Sequence, residues 1–199
     1  MPTLLHVGCG PKHKDRTTRG FNQPQWQEIR LDIDPAAKPD VVGTMTDMPA
    51  VGDGSVDAIF SSHNIEHLYP HEVPQALREF RRVLRADGLA VITCPDLQSI
   101  CALVAQDRLT DAAYQSSAGP ITPLDVLYGH RPALARGNLY MAHRCGFTAR
   151  VLGATLREAG FAGVAVKVRP AAFELWALAT MTALDDAALR ALASEHFPA

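Results

Sequence analysis

The chain has 199 residues, of which 47% are hydrophobic and 20% are charged. This length favours one sheet-centred domain and leaves little room for a second. No stretch reaches about 18 uncharged apolar residues, which argues against a membrane-spanning helix. A formal net charge of −2 provides no overall attraction to nucleic acid. We therefore expect a soluble protein with neither a nucleic-acid nor a membrane partner.

Several apolar runs of strand length occur in the first half of the chain. Most of them lack polar alternation, which is typical of strands that are buried on both faces. Such strands belong to a parallel sheet that is covered by helices. The runs are residues 4–7, 29–33, 41–45, 56–60 and 89–93.

Two helices have clear sequence boundaries. Residues 73–85 carry an apolar stripe opposite a charged face, with Pro74 in the first turn. We expect Gly88 to follow the end of this helix in a left-handed conformation. Thr148 predicts the N-cap of a second helix, which Gly160 ends.

The C-terminal part of the chain predicts two more strands and a short helix. The strands, residues 161–168 and 173–181, are joined by a connection that is too short for a helical crossover. We therefore expect them to be antiparallel neighbours. Residues 182–196 are expected to form a terminal helix.

Residues 108–147 are expected to be an inserted cap, or lid, within a single domain of residues 1–199. Helical and strand periodicity both fail between residues 102 and 146, where glycine and proline are frequent. The stretch is longer than most connections inside a compact domain, and long connections of this kind often cover a functional site.

A glycine pair directly follows the first predicted strand. In Val7-Gly8-Cys9-Gly10, the missing side chains allow a ligand to lie against the backbone. The second predicted strand ends at Asp32, at the spacing of about 20 residues where an acid accepts hydrogen bonds from ribose hydroxyls. The pattern predicts a ribose-containing cofactor, which we expect on Asp32 before Asp34.

Five short motifs occur in the first half of the chain: residues 7–10 (VGCG), 31–34 (LDID), 46–49 (TDMP), 55–63 (SVDAIFSSH) and 80–88 (FRRVLRADG). Through these motifs, residues 4–97 resemble the class I S-adenosylmethionine-dependent methyltransferases, specifically the type 11 group. The resemblance implies an α/β fold with a seven-stranded, mostly parallel, doubly wound, Rossmann-like sheet and an antiparallel strand at the C-terminal end. It also implies methyl transfer from S-adenosylmethionine.

The same resemblance implies which residues bind the cofactor. The glycine segment permits close approach, Asp32 holds the ribose, Asp47 and Met48 frame the adenine, and residues 61–63 face the methionine part. One departure is that Gly10 is followed by a segment that replaces or shortens the usual first helix. The implied cofactor-binding residues are Val7, Gly8, Cys9, Gly10, Asp32, Ile33, Asp47, Met48, Ser61, Ser62 and His63.

The methyl acceptor is not identified by the sequence, and we expect a small molecule or a glycan-type compound. Histidine and tyrosine side chains can orient an acceptor, and a histidine can take up its proton near neutral pH. Each candidate has the alternative of a surface or packing role. The candidate catalytic residues are His63, His67, Tyr128, His130 and His143.

Two other functions and a metal site are compatible with parts of the sequence. An NAD-dependent oxidoreductase shares the strand, glycine turn and acid, but His13 occupies the position of its third glycine. A catalytically silent scaffold would more readily have lost Asp32 or the glycines. The spacing of His63, His67 and His71 suggests a metal, but Pro70 disrupts a shared helix, so we expect none.

Two local features bear on the environment and the partners of the protein. The four cysteines form no C-x-x-C pair and the first residues lack a secretory signal pattern, so we expect a cytoplasmic location. Basic residues cluster after the glycine turn. This cluster either forms a solvated surface loop or attracts an acidic acceptor. Its members are Lys12, Lys14, Arg16 and Arg19.

Overall fold

The computed structural model describes residues 1–116 and 118–198, and it is built around one seven-stranded sheet. The strands of this sheet are β1 (Thr3–Val7), β2 (Gln27–Asp32), β3 (Val41–Val42), β4 (Val56–Ser62), β5 (Leu84–Pro95), β8 (Gly163–Arg169) and β9 (Glu174–Thr180). Their spatial order is β3-β2-β1-β4-β5-β9-β8. The first five are parallel, whereas β9 runs antiparallel to both β5 and β8. The predicted fold class, including its antiparallel C-terminal end, is confirmed.

Helices connect and cover the strands. They are α1 (Val73–Val83), α2 (Leu97–Val104), α3 (Pro123–Tyr128), α4 (Arg131–Ala135), α5 (Ala149–Glu158) and α6 (Asp186–His196). As predicted, Pro74 lies in the first turn of α1 and the Thr148 hydroxyl accepts a hydrogen bond at the start of α5. Gly160 ends α5 with a φ of 96°. Within the described part of the chain, no helix is long and apolar enough to cross a membrane.

Both faces of the sheet are buried. Because successive strand residues point to opposite faces, Leu5 packs in a cluster with Leu77 and Leu152 of the helices, whereas Leu4 packs on the other face with Phe21. The second face is covered by the chain around Phe21 and by Leu189 and Leu192 of α6. Between β1 and β2, a segment that the structure describes in full, the only regular element is a single 3-10 turn, Lys14–Arg16. The usual first helix is therefore shortened or replaced here, as the sequence indicated.

Gly88 does not have the predicted role. The helix α1 passes directly into β5 at Leu84, so Gly88 lies inside a strand and not at a helix end. A Cβ atom at Gly88 would lie 3.0 Å from the carbonyl oxygen of Asp57. The β4–β5 register also shifts at this point, between Val56 and Ala58. Gly88 therefore permits close backbone approach at an irregularity of the sheet.

The stretch between α2 and α5 contains short elements only. A separate hairpin of β6 (Tyr114–Ser116) and β7 (Gly119–Ile121) precedes α3 and α4, and a 3-10 turn, Leu139–Met141, follows them. The helix α3 begins with a capping box between Thr122 and Asp125. The described strands of this stretch form their own two-stranded sheet and add no strand to the seven-stranded one.

Candidate active site

A cavity of about 630 Å³ opens at the carboxyl ends of β1, β2 and β4. The chain leaves β1 toward β2 on one side and β4 lies on the other, and such reversal points of strand order are where ligands bind in open α/β sheets. One part of the wall, the glycine end, comes from residues 7–12, 31–34, 36–37 and 43–45. A second part, the histidine end, comes from two further segments; its lining residues are Ser62, His63, Asn64, His67, Leu68, Glu72, Asn138, Tyr140, Met141 and Arg144.

The glycine turn has two glycines with positive φ. Gly8 has a φ of 62° and Gly10 a φ of 53°, a region that disfavours other residues. A Cβ atom at Gly8 would lie 2.1 Å from Oδ1 of Asn64, whereas one at Gly10 would meet no protein atom within 4 Å. The Asn64 amide in turn donates a hydrogen bond to the Val7 carbonyl over 2.9 Å. Because Gly8 has no side chain, Asn64 can approach it and hydrogen-bond to the end of β1. This bond joins β1 to the segment after β4.

Asp32 joins the glycine turn to the end of β2. Its Oδ2 accepts a hydrogen bond from the backbone N–H of Gly10 over 2.7 Å, and its Oδ1 accepts one from Asp34 over 2.8 Å. Each carboxylate oxygen keeps a second acceptor site for a ligand hydroxyl. Asp34 is engaged differently, because its Oδ1 caps the short turn that follows by accepting from Ala36. The geometry supports the sequence-based preference for Asp32 as the ligand-binding acid.

The cavity wall near β3 differs from the expected one. Asp47 and Met48 do not line the cavity, and Gly43, Thr44 and Met45 do. The Met48 side chain is fully buried in the core. Because β3 is only two residues long and the chain turns directly after it, the residues nearest the strand end face the cavity.

The other expected cofactor residues are divided between the cavity and the core. Ser61 is buried and does not line the cavity; its Oγ accepts a hydrogen bond from the Asn64 amide. Ile33 is 45% exposed although it is large and apolar, and it lines the cavity. The remaining expected residues that line the cavity are Val7, Gly8, Cys9, Gly10, Asp32, Ser62 and His63.

His63 is held between two carboxylates. Its Nδ1 lies 3.4 Å from Glu66 Oε1, and its Nε2 lies 3.4 Å from Glu174 Oε2. Desolvation opposes the charged imidazolium, but the contacts with Glu174 and Glu66 outweigh it and raise the pKa of His63 to about 9. Its φ of 55° is unusual for a residue with a side chain. His63 is therefore a cationic hydrogen-bond donor near neutral pH and a poor general base.

His67 and His143 come together at the histidine end although they are far apart in the sequence. Their ring centroids are 4.9 Å apart. The Nδ1 of His67 donates to the Ala142 carbonyl over 3.0 Å, and that of His143 donates to the Val126 carbonyl over 2.6 Å. Burial lowers the pKa of His143, which favours its neutral form.

Glu66 is a buried member of this cluster that the sequence did not indicate. Its carboxylate is 1% exposed, and one ligand atom each from Glu66, His67 and His143 lie within 4.8 Å of one another. Desolvation opposes its ionisation, but the favourable contact with His63 prevails and lowers the pKa of Glu66. The only available signal was its position directly before His67 and after a strand end.

The remaining candidate residues lie away from the cavity. Tyr128 is 63% exposed, and His130 lines a separate depression beside Asp125 and Arg131. His71 is exposed and outside the cluster of Glu66, His67 and His143. The part of the predicted cap that does line the cavity is its last portion. Its lining residues are Asn138, Tyr140, Met141 and Arg144.

Of the basic cluster after the glycine turn, Lys12 alone lines the cavity. The Lys14 ammonium donates to the carbonyls of Gln23 and Trp26 instead. The Arg19 guanidinium donates to the Ser194 carbonyl. These contacts assign Lys14 and Arg19 to holding the loop in place.

Residues 5–92 match the model of the methyltransferase type 11 family, which is described as a methyltransferase domain. This segment runs from β1 into β5 and includes the glycine turn and Asp32. With this match and the observed strand order, residues 5–92 form a methyltransferase domain of the class I fold, and S-adenosylmethionine is the cofactor of such a domain.

Solved methyltransferases share the fold at low sequence identity. The 1,6-didemethyltoxoflavin-N1-methyltransferase of Burkholderia thailandensis, with bound 1,6-didemethyltoxoflavin and S-adenosylhomocysteine, is 17% identical, with a TM-score of 0.55 over 90% of this chain and 71% of that chain. A methyltransferase from Aquifex aeolicus is 16% identical, with a TM-score of 0.53 over 91% and 82%. One from Archaeoglobus fulgidus is 15% identical, with a TM-score of 0.56 over 90% and 86%. No curated protein matches the chain significantly.

Proposed function

We propose that the protein transfers the methyl group of S-adenosylmethionine to a small-molecule or glycan-type acceptor that enters the same cavity from the histidine end. The observation that carries this proposal is that one cavity joins Gly10 and Asp32 to His67, Tyr140 and Arg144. Its volume of about 630 Å³ is in the range of small-molecule pockets, about 300–1,000 Å³. The Burkholderia thailandensis neighbour contains both a small molecule and S-adenosylhomocysteine, which supports an acceptor of this class.

In this proposal the cofactor occupies the glycine end. The ribose hydroxyls donate to Asp32, whose oxygens retain acceptor capacity. The adenine packs between Ile33 and Met45, two apolar side chains in the cavity wall. The methionine part follows the glycine turn toward Ser62, so the sulfonium methyl group faces the histidine end.

The reaction is an in-line displacement at the methyl group. The nucleophile of the acceptor forms a bond to the methyl carbon while the carbon–sulfur bond breaks, and S-adenosylhomocysteine leaves. Most of the catalysis comes from holding the nucleophile aligned at roughly 3–3.5 Å, so no covalent enzyme intermediate is required. The assignment of a catalytic histidine among His63, His67, His130 and His143, or of Tyr128, stays a prediction, with His63 and His67 at the cavity.

The histidine end favours a polar acceptor. The Arg144 guanidinium lies over the Tyr69 ring at 4.7 Å and also donates to the His67 carbonyl over 3.3 Å. These two contacts orient Arg144, which is exposed and lines the cavity. A carboxylate or several hydroxyl groups on the acceptor would complement it.

The cytoplasmic location is part of the proposal and is supported by the four cysteines, all described and all free thiols.

An acceptor screen tests this function. The protein is incubated with S-adenosylmethionine and a panel of small hydroxyl, amine, thiol and sugar compounds, and the release of S-adenosylhomocysteine is measured. We expect turnover with members of this panel and a loss of about tenfold or more in kcat/KM for Asp32→Ala. The control His71→Ala should retain the parent activity, because His71 is exposed and does not line the cavity. Methylation of a protein or nucleic acid, with no turnover of any small compound, would contradict the proposal.

A further inference from the structure

A buried carboxylate that accepts no hydrogen bond from the described residues lies beside two histidines at the histidine end. The Glu66 side chain is 1% exposed, and neither of its carboxylate oxygens has a hydrogen-bond partner among the described residues. The Nδ1 of His63 approaches Oε1 at 3.4 Å, which is an ionic contact without the alignment of a hydrogen bond. Buried charges are costly unless they are hydrogen-bonded, paired closely or bound to a metal. Among the described residues, Oε1 therefore has only this ionic contact and Oε2 has no partner, so the carboxylate can accept a further ligand.

The two histidines beside Glu66 are oriented by the backbone. Carbonyl oxygens only accept hydrogen bonds, so the contacts with Ala142 and Val126 require the proton on Nδ1 of His67 and of His143. In the neutral ring, Nε2 then carries a free lone pair. A hydrogen bond from the other ring nitrogen to a backbone carbonyl is the arrangement that orients metal-binding histidines in proteins.

We propose that Glu66, His67 and His143 bind one Zn²⁺ ion at the histidine end of the cavity. Two imidazole nitrogens and one carboxylate oxygen are the protein ligands of a class of catalytic zinc sites, which keep a further position open. Ligand atoms of the three residues already lie within 4.8 Å of one another. Small side-chain movements bring atoms at this separation to zinc bonds of about 2.0–2.2 Å.

The open position of this site would be reached from the cavity. Of the three ligands, His67 lines the cavity wall, whereas Glu66 is buried and neither Glu66 nor His143 is a lining residue. In a role that rests on the proposed function, an oxygen, nitrogen or sulfur atom of the acceptor coordinates the ion and loses its proton more readily to a water molecule in the cavity. The two histidines then act as ligands and not as bases.

Zinc binding by the full-length protein tests this site without any need for an acceptor. Zn²⁺ is titrated calorimetrically into protein that has been freed of metal with a chelator. We expect one equivalent to bind. Loss of an outer hydrogen-bond partner alone weakens metal sites about 10–100-fold, so His143→Ala and Glu66→Gln should each weaken binding by about tenfold or more. The control His71→Ala, an exposed histidine outside the cluster, should bind zinc like the parent.

A Co²⁺ absorption spectrum of the parent protein identifies the ligand types and does not depend on the folding of any variant. Nitrogen and oxygen ligands predict visible cobalt bands without a sulfur charge-transfer band. Such a band would assign the metal to a thiol such as Cys145, which donates to the Ile65 carbonyl nearby, and would overturn the proposal. Absence of zinc binding, or equal binding by folded His143→Ala, would also overturn it.

S-adenosylhomocysteine affinity measured on the same samples separates this inference from the proposed function. Protein that binds S-adenosylhomocysteine but no zinc retains the proposed function and contradicts the metal site. Protein that binds zinc through the three residues but no S-adenosylhomocysteine supports the metal site and contradicts the proposed function.

Discussion

The glycine end and the histidine end of the cavity are built in different ways. The glycine end is formed mainly by the backbone conformation of the glycine turn and by contacts between neighbouring strand ends. The hydrogen bond from Gly10 N–H to Asp32 is one such contact. At the histidine end, side chains meet from segments that are far apart, as in the contact of His67 with Ala142, 75 residues away. The first construction follows from local sequence pattern, whereas the second depends on how an irregular segment packs.

This difference separates the chemistry of the two ends. A glycine turn with positive φ and an acid at the end of the next strand fit one ligand shape, that of a nucleoside-containing cofactor. The histidine end presents titratable and exposed side chains on a segment with short helices and turns, Asn138 to Arg144. We infer that cofactor binding is set by the sheet and acceptor choice by the segment packed on it.

The largest expected effect is at Gly8. In Gly8→Ala the new Cβ would lie 2.1 Å from Asn64 Oδ1, so Asn64 must move and release the Val7 carbonyl. We expect methyl transfer to fall about a hundredfold, the cost of misplacing reacting groups by about 1 Å. The backbone strain also costs about 1–3 kcal/mol of unfolding free energy. Both quantities are measured, by turnover and by urea denaturation.

Gly54→Ala is the matched control for this prediction. Gly54 has a φ of 56°, and a Cβ there meets no atom within 4 Å. The variant should lose stability through similar strain and keep its activity per folded molecule. Equal activity of the Gly8→Ala variant and the parent would mean that the glycine turn is structural only.

The next effect is at the acid of the glycine end. Asp32→Ala removes the acceptor of the Gly10 and Asp34 N–H groups and the proposed ribose acceptor. We expect calorimetry to show a loss of roughly 1.5–3 kcal/mol in S-adenosylhomocysteine binding, the range for hydrogen bonds to a charged group. Asp34→Ala should change affinity only a few-fold, because Asp34 caps a surface turn. A larger effect at Asp34 than at Asp32 would mean that Asp34, and not Asp32, is the acid that binds the ribose.

A smaller effect concerns the stability of the segment that carries the histidine end. The Asp125 carboxylate accepts hydrogen bonds from Thr122 Oγ1 and Arg131 Nε, each over 2.7 Å. Burial opposes its charge, but these bonds outweigh burial and hold the pKa of Asp125 below its ordinary value. We expect Asp125→Asn to lower the unfolding free energy at neutral pH by roughly 1.5 kcal/mol.

The pH dependence of this variant checks its physical cause. A carboxylate with a depressed pKa contributes fully above its unfolded pKa of about 3.9 and loses its contribution as the pH falls toward its folded value. The difference between the parent and Asp125→Asn should therefore shrink in acid. Asp111→Asn, in an exposed pair with Arg108, should change stability by about 0–1 kcal/mol. A difference at Asp125 that persists unchanged in acid would contradict the ionic explanation.

The smallest expected effect is at Lys12. It is the single member of the basic cluster that lines the cavity, and it is exposed. We expect Lys12→Ala to change S-adenosylhomocysteine affinity by about 0–1 kcal/mol. For an acidic acceptor, kcat/KM of the parent should fall with added salt, and Lys12→Ala should reduce that dependence. A flat salt response with such an acceptor would assign Lys12 to the surface.

Much of the fold was predictable because its signals are local. Apolar runs marked the parallel strands, and Thr148 and Gly160 marked both ends of α5. The prediction that Gly88 follows the end of a helix was wrong, because a glycine after a helical pattern also suits a strand where two backbones approach closely. Telling these cases apart requires knowledge of the neighbouring strand.

The parts of the site that lie directly at strand ends were predictable from the sequence, and the parts that arise from packing were not. The glycine turn and Asp32 follow from local pattern, and they line the cavity. The expected adenine contacts Asp47 and Met48 do not line the cavity, whereas Thr44 and Met45 do, because the length of β3 cannot be deduced from its sequence. The proximity of Glu66 to His143 arises from the packing of the irregular segment, which leaves no periodic signal.

The most direct test of this account is a crystal structure of the protein with S-adenosylhomocysteine. The account predicts that the ribose hydroxyls lie within hydrogen-bond distance, about 2.5–3.0 Å, of the Asp32 carboxylate. It also predicts that the cofactor sulfur faces the histidine end, with His67, Tyr140 and Arg144 beyond it. S-adenosylhomocysteine bound with its adenosine at the histidine end, or outside this cavity, would contradict the division of the cavity into a cofactor half and an acceptor half.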